Sequence, residues 1–387
     1  MERIKLTKIV SGGQALGELA DGRKVFVWGG LPDEEVEAKV YKLKKSYAEA
    51  VATKVLASSP FRVAPKDEIY LSTSPWQVMD FQYELQQKSE LVRAAFSEQH
   101  LPIAAPEMKT DGREYFYRNK MEYALWWDND LQKIALALHQ RGTHHKVPIQ
   151  TSSIERPEVL LEAQKIVKSL NYQRAEARAY QSLLVRASQA GKVSSALFEN
   201  RKPHPKTSLL SDELLGRHYS YSPNGFFQIN LPVYEMALLE MKKHVDMEKV
   251  VDMYSGVGTI GLSVAHDRNL VLVEANTTAY TELVKNTNGF DGRNIRPVHA
   301  KSEEALEYIA HDVCLILDPP RAGLHEKVVQ KILEELPPKI IYLSCNPVTQ
   351  ARDVKLLSER YKIASMTAFN FFPKTPHIEN LAVLEVQ

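Results

Sequence analysis

Ile340-Ile341-Tyr342-Leu343-Ser344-Cys345-Asn346-Pro347 is the stretch whose reading decides the fold. Four apolar or aromatic residues in succession read as a buried parallel strand, and Asn-Pro breaks it. Cys345 stands where the strand ends, the place where open α/β sheets hold ligands and reacting groups. The chain has only 2 cysteines. The other, Cys314, lies inside the apolar run Val313-Cys314-Leu315-Ile316-Leu317 and reads as a small core hydrophobe. Taken alone, Cys345 reads equally well as a second buried thiol, because free cysteines are usually buried.

Working outward, residues 226–387 alternate strand and helix. Val250-Val251-Asp252-Met253-Tyr254 is a strand, and Ser255-Gly256-Val257-Gly258-Thr259-Ile260-Gly261-Leu262 turns into a helix. Further strands are expected at 270–274, 295–299, 313–318, 339–344 and 381–386, with a helix over 279–288. This is an α/β, doubly wound, Rossmann-like sheet. Gly256-x-Gly258-x-x-Gly261 with Glu274 closing the next strand matches the dinucleotide fingerprint, a pattern of low specificity by itself. Asp252 directs the choice of ligand. A carboxylate before the glycine turn suits a cation better than a pyrophosphate, which points to S-adenosylmethionine. Leu317-Asp318-Pro319-Pro320-Arg321-Ala322-Gly323 ends another strand. It reads either as an ordinary turn or as a rigid loop whose carbonyls and Asp318 hold a planar base. The glycine turn, this loop and Ser-Cys-Asn-Pro all fall at carboxyl ends of neighbouring strands.

Upstream, residues 1–57 read as short strands of a small OB-like β-barrel. Lys39, Lys42, Lys44 and Lys45 gather at one hairpin; on charge alone this is a solvated face, and on such a barrel it is also a single-strand nucleic-acid platform. Pro60, Pro65 and Pro75 punctuate a linker-like stretch, and a helix is expected over 79–99 with Phe81, Leu85, Leu91, Val92 and Ala95 at helical spacing, placed to pack on the catalytic part. Residues 58–225 form a mixed α+β central region in which Arg113, Arg118, Lys120, Trp126, Trp127, His139, Arg141, His144, His145 and Lys146 interleave. That mixture suits RNA phosphates and stacked bases. His144 and His145 have no cysteine or carboxylate cluster at ligand spacing, so a solvated turn is expected and no metal.

The totals agree. In 387 residues, 49 basic side chains balance 48 acidic ones, so any nucleic-acid surface is local. Two unpaired cysteines point to a reducing compartment, and no apolar span is long enough for a bilayer. A cytoplasmic protein with no membrane and no obligate protein partner is expected.

With these residues in place the chain resembles the RNA uracil-5-methyltransferases that modify ribosomal RNA and the tRNA T-loop. The likeness runs through a TRAM-like barrel, Tyr117-Arg118-Asn119-Lys120, Phe226-Phe227-Gln228-Ile229-Asn230, Asp252-Met253-Tyr254-Ser255-Gly256-Val257-Gly258, Asp318-Pro319-Pro320-Arg321-Ala322-Gly323, Ser344-Cys345-Asn346-Pro347 and Phe372-Pro373-Lys374-Thr375-Pro376-His377-Ile378-Glu379. It implies Cys345 as nucleophile and Glu379 as base. It implies Gln228, Tyr254, Thr259, Glu274, Lys301 and Asp318 as S-adenosylmethionine positions, Thr259 and Lys301 standing where asparagine is common. Many members carry an iron–sulfur cluster. Leu71-Ser72-Thr73-Ser74-Pro75-Trp76-Gln77 stands here where a Cys-Gly-Gly-Cys segment would be, and Ser152 near the expected position of the last ligand, so no cluster is expected.

Uracil carbon 5 is a poor nucleophile until a thiolate adds at carbon 6, so Cys345 must ionise, and a strand-end setting is expected to lower its pKa. Glu379, which without the resemblance reads as a surface loop glutamate, would then take the carbon 5 proton, with His377 as runner-up. The RNA favoured is 23S rRNA, with a tRNA T-loop uridine as the other choice. Competing readings are RNA cytosine-5 methylation, a non-catalytic RNA-binding assembly module that still binds the cofactor, and, more distantly, an NAD-dependent dehydrogenase.

Overall fold

Continuous apolar runs build the largest sheet. The computed structural model describes residues 1–387 apart from 142, 144, 201–206, 289 and 291–293. Numbering only this sheet's main strands in chain order, β1 is Lys249–Met253, β2 Asn269–Glu274, β3 Ile295–His299, β4 Cys314–Leu317, β5 Lys339–Ser344, β6 Tyr361–Phe369 and β7 Glu379–Val386. They lie in the order β3-β2-β1-β4-β5-β7-β6, with Met108–Lys109 added beyond β6. Strands β1 to β5 are parallel. Val250, Ile316, Ile341 and Leu343 face one core, and Val251, Leu315, Leu317, Ile340 and Tyr342 face another. Burial on both faces is why these strands show no polar alternation.

Two expectations are corrected. Strand β6 goes unnoticed in the sequence, and β7 begins at Glu379 and runs antiparallel to both β5 and β6 instead of continuing the parallel alternation. The physical reason is the connection. Residues 370–378 hold no crossover helix, and strands joined by a short loop pair antiparallel.

The N-terminal strands form a six-stranded sheet around Ile4, Leu6, Val25, Val27, Val36 and Ala48, with Trp76 and Met79 sealing the same core. Helix Phe81–Glu98 starts on Asp80, whose carboxylate accepts from the amides of Gln82 and Tyr83. Its Val92, Ala95 and Phe96 enter the core under β1, β4 and β5. The buried stripe also includes Glu84 and Lys88, where the periodicity suggested Leu85 and Leu91. The central region holds a five-stranded sheet covered by helix Pro157–Tyr172. The hairpin Leu210–Leu214 and Arg217–Tyr221 packs with helix Leu231–Lys242 into the catalytic core. Among the described residues no helix is long and apolar enough to cross a membrane.

Candidate active site

The reacting groups gather at the carboxyl ends of β4 and β5. Pro347 opens helix Pro347–Leu357 and Asn346 caps it, accepting from the Val348 amide at 3.2 Å, so the chain turns sharply just after β5. Cys345 sits in that turn, half-buried, while Cys314 is sealed in the core. Antiparallel register pairs Ser344 with Asn380, so the next position sets Cys345 opposite Glu379 on one face of the sheet. Glu379 is buried at 4% exposure and opens a strand; it is not the surface loop residue of the plain reading.

The Pro-Pro loop closes one side. Asn346 Nδ2 and Thr349 Oγ1 donate to the Arg321 carbonyl at 3.0 and 3.1 Å, tying the loop after β4 to the turn after β5. The Arg321 guanidinium reaches across to His377 Nδ1 at 3.2 Å. Burial pushes the Glu379 carboxyl well above its ordinary range, with Asp318 adding to it and Arg321 opposing. Burial pushes Asp318 up to about 7. The Cys345 thiol is pushed up to about 11 by burial, then by Glu379 and Asp318, against a lowering by Arg321. The expected lowering at the strand end is therefore corrected: desolvation and two carboxyls outweigh the strand-end dipoles.

The glycine turn lies beside this group. Tyr254, Gly256 and Gly258 all take left-handed backbone, with φ of 67°, 58° and 88°. Above Gly256 the space is open, since a Cβ there would meet nothing within 4 Å. Glu274 accepts from the amides of Gly256 and Asn276 at 2.8 and 2.5 Å, which holds its carboxylate at the tip of β2. Thr259 is buried against the Tyr234 hydroxyl. Gln228 is buried, and its carbonyl accepts from Arg186 at 3.2 Å. Tyr254 reaches Ser302. Lys301 does not join this set: its ammonium is exposed and lies 3.5 Å from Glu304.

Asp252 does not face a ligand. It is fully buried, accepts from the Gly261 amide at 2.8 Å, and burial raises its carboxyl well above its ordinary range. Its charge was the reason for choosing a cationic ligand, and that reason fails. Asp252 bolts the glycine turn from beneath, and Gly261 permits this because a Cβ would lie 2.9 Å from Asp252 Oδ2.

A second set of residues, not apparent from sequence, holds the loop before Glu379. Lys88, itself fully buried, donates to Asn370 Oδ1 and the Phe372 carbonyl at 2.6 and 3.0 Å and pairs with buried Glu84 at 2.9 Å. Glu84 also accepts from the Lys374 amide at 3.0 Å, and Tyr117 donates to the Pro373 carbonyl at 3.0 Å. Their signal is an i,i+4 Glu–Lys pair, which reads as a solvent-facing helix pair. Buried Arg186 likewise holds the carbonyls of Phe227 and Gln228.

In the central region Arg118, Lys120 and Arg141 are committed to main-chain carbonyls, and Arg141 also lies over the Trp28 ring at 4.2 Å. Trp126 and Trp127 are exposed at 38% and 39%, in a groove they share with Lys146 and Arg178. His145 is exposed, and His144 lies outside the described residues. Ser74 and Ser152 are buried in polar pairs: Ser74 accepts from Gln77, which also donates to Asp67 at 2.7 Å, and Ser152 bonds Glu155. Among the described residues no group of three or more His, Cys, Asp or Glu side chains is placed for a metal ion.

Comparisons with known proteins follow the same outline. Residues 213–387 match the model of the tRNA (uracil-5-)-methyltransferase family, and residues 2–53 match the TRAM domain. An uncharacterized RNA methyltransferase of Bacillus anthracis is 28% identical, covering 94% of this chain and 92% of its own length. One of Aquifex aeolicus is 28% identical over 99% of both chains. The structure of the Pyrococcus abyssi tRNA (uracil-54, C5)-methyltransferase with S-adenosyl-L-homocysteine superposes with a TM-score of 0.79 at 23% identity, over 99% of this chain and 100% of that one.

Proposed function

The chain belongs to the RNA uracil-5-methyltransferase family, and from that premise we propose that it methylates carbon 5 of a uridine in RNA using S-adenosylmethionine, with Cys345 as nucleophile and Glu379 as base. The observation that carries this reading is the register that sets Cys345 opposite Glu379 beside the open glycine turn.

The groups around that turn fit the cofactor: the Glu274 carboxylate can accept from ribose hydroxyls, Asp318 and Gln228 suit a hydrogen-bonding base or amino-acid tail, and Tyr254 supplies an aromatic wall. Ser302, the neighbour of Lys301, meets Tyr254, and buried Thr259 opens the helix that follows the turn. When bound, S-adenosylmethionine supplies an electrophilic methyl group on a sulfonium.

Cys345 as thiolate bonds to uracil carbon 6, and the carbon 5–carbon 6 π electrons move onto oxygen 4 as an enolate. Carbon 5 would then take the methyl group with the enolate's electrons, the carbon 4 carbonyl returning as the methyl–sulfur bond breaks and leaves its pair on sulfur. Glu379 removes the remaining carbon 5 proton, the enolate re-forms, and its electrons restore the ring double bond as the carbon–sulfur bond breaks. The buried Glu379 is suited to that proton, because a carboxylate in a desolvated site is a stronger base than one in water.

The RNA part rests on the TRAM match and on the groove with Trp126, Trp127, Lys146 and Arg178, which offers stacking faces beside cations. In this division the barrel and central region hold the strand, the hairpin 210–221 counts with the catalytic part, and the target base is swung out to reach Cys345. The barrel inclines the choice toward 23S rRNA; the description of the matched family supports a tRNA uridine as the second reading. No iron–sulfur cluster enters the reading, so dialysis against a chelator should leave thermal stability unchanged.

RNA carrying 5-fluorouridine tests the proposal, since fluorine cannot leave as a proton does. The expected result is a denaturation-resistant RNA adduct that needs both cofactor and Cys345; methyl transfer by Cys345→Ala would end the reading. Offering 23S and tRNA transcripts side by side separates the two targets.

A further inference from the structure

Arg321 joins the two halves of the site. Its carbonyl is held by Asn346, the residue after the nucleophile, and by Thr349. Its guanidinium is held by His377, two residues before Glu379. Between these anchors its positive charge acts on the Cys345 thiol and lowers its pKa. The other charged groups facing that thiol are the carboxyls of Asp318 and Glu379, both of which oppose a thiolate.

His377 is fitted to hold a cation. The surrounding protein, and after it Arg321, Lys88, Arg118 and Arg141, push its imidazole down to about 4. It is therefore neutral at working pH, and its Nδ1 lone pair accepts from Arg321. Its ring packs edge-on against Phe372 with centroids 5.6 Å apart, and its amide donates to Thr375 Oγ1 at 3.3 Å. These contacts fix the ring. A lone pair already engaged by a guanidinium is a poor proton acceptor, which sets aside the runner-up role of general base.

We propose that Arg321 is the cation that holds the Cys345 thiolate, and that His377 is the positioning residue that aims the guanidinium at it. The proposal rests on the reading of Cys345 as nucleophile. In water the guanidinium donates its N–H groups to solvent; in the site one is held by Nδ1 of His377, which leaves the others to turn to Sγ and pre-aims the cation where negative charge forms.

The test needs neither RNA nor cofactor. Cys314 is sealed in the core, so iodoacetamide reports Cys345 alone, and the alkylation rate against pH gives the thiol's titration. Arg321→Met should slow alkylation at pH 8 by about tenfold and displace the titration upward by about one unit, with Arg321→Lys between it and the parent. His377→Leu should move the titration the same way, and His377→Asn, whose amide oxygen replaces the Nδ1 acceptor, should restore it. The thermal melts should stay close to the parent's, since neither residue belongs to the buried core. An Arg321→Met profile that overlays the parent overturns the proposal, as does an equal loss in both His377 variants. A shifted profile in a protein that forms no adduct with 5-fluorouridine RNA would leave this inference standing and end the methyltransferase reading instead.

Discussion

Cys345 and Glu379 face each other across adjacent antiparallel strands, one position beyond the paired Ser344 and Asn380. Two residues 34 positions apart in sequence are thus brought side by side by the return of β7 along β5. Glu379→Gln keeps the shape and the hydrogen-bonding capacity but removes the base. It should allow carbon–sulfur bond formation and methyl transfer, then stall. A covalent complex on ordinary RNA should accumulate on denaturing gels, with turnover down by roughly 10²–10⁴-fold. Free methylated RNA at the parent rate would remove Glu379 from the proton step.

The pH dependence follows from the same pair. Both groups act when deprotonated, and both have pKa values raised by burial, Cys345 to about 11. A raised pKa moves the active form to higher pH, so kcat/KM should climb between pH 6 and 9, by up to about tenfold per unit for each of the two groups that must lose its proton. His377 is held near 4, so no break is expected at the ordinary histidine pKa. Initial rates across that range decide it; a flat profile would mean that neither group titrates in the rate-limiting step.

Asp252 gives a stability prediction. Its folded-state pKa is raised, so its contribution is fully present below the ordinary carboxylate pKa and is lost as pH rises toward the folded value. Asp252→Asn can still accept from the Gly261 amide and never has to shed a charge. The variant should gain on the parent by up to about 1.4 kcal/mol per pH unit above pH 4, seen in urea titrations at a series of pH values. A constant difference across pH would show that Asp252 is charged in the folded protein.

What the sequence disclosed and what it hid have a common physical origin. Val313 to Leu317 and Ile340 to Leu343 were legible because burial on both faces leaves uninterrupted apolar runs. The glycine turn was legible because left-handed backbone at Gly256 and Gly258 demands small residues. Strand β6 is hard to read because only Tyr361, Ala368 and Phe369 of its residues are buried, and it has a single full-length partner strand. Asp252 misled because its carboxyl points under Gly261 instead of into the cleft, a direction that residue type does not encode. Arg321 stood in a motif read for its prolines, and its partner His377 lies 56 residues on. Lys88 meets Asn370 across 282 residues, and nothing local marks either.

That buried ion pair is open to test. Lys88→Met leaves Asn370 Oδ1 and the Phe372 carbonyl without their donor and Glu84 with Lys374, at 3.8 Å, as its remaining cation. Breaking one side of a buried pair should cost about 3–5 kcal/mol in denaturant unfolding. Because the loop it clamps leads directly into His377 and Glu379, turnover should fall in the population that remains folded. A loss within the scatter of surface variants would show that the loop's other contacts hold it without Lys88.

The N-terminal sheet touches the same loop from the other side. Trp76 donates from its indole to the Gly13 carbonyl at 2.9 Å, and the Trp76 amide donates to the Lys374 carbonyl at 3.0 Å. A Cβ on Gly13 would lie 2.2 Å from Pro376 Cβ, at a φ of 93°. Gly13→Ala therefore carries both backbone strain and a clash, and should cost about 2–4 kcal/mol, whereas Gly22→Ala, with φ of 84° and nothing within 4 Å, should cost about 1 kcal/mol. The two variants separate strain from contact. If the barrel also shapes the catalytic loop, Gly13→Ala should slow adduct formation on 5-fluorouridine RNA at saturating RNA, while Gly22→Ala leaves it at the parent rate. Equal adduct rates would confine the barrel to holding RNA, because pressure on Pro376 would then fail to reach His377 and Glu379.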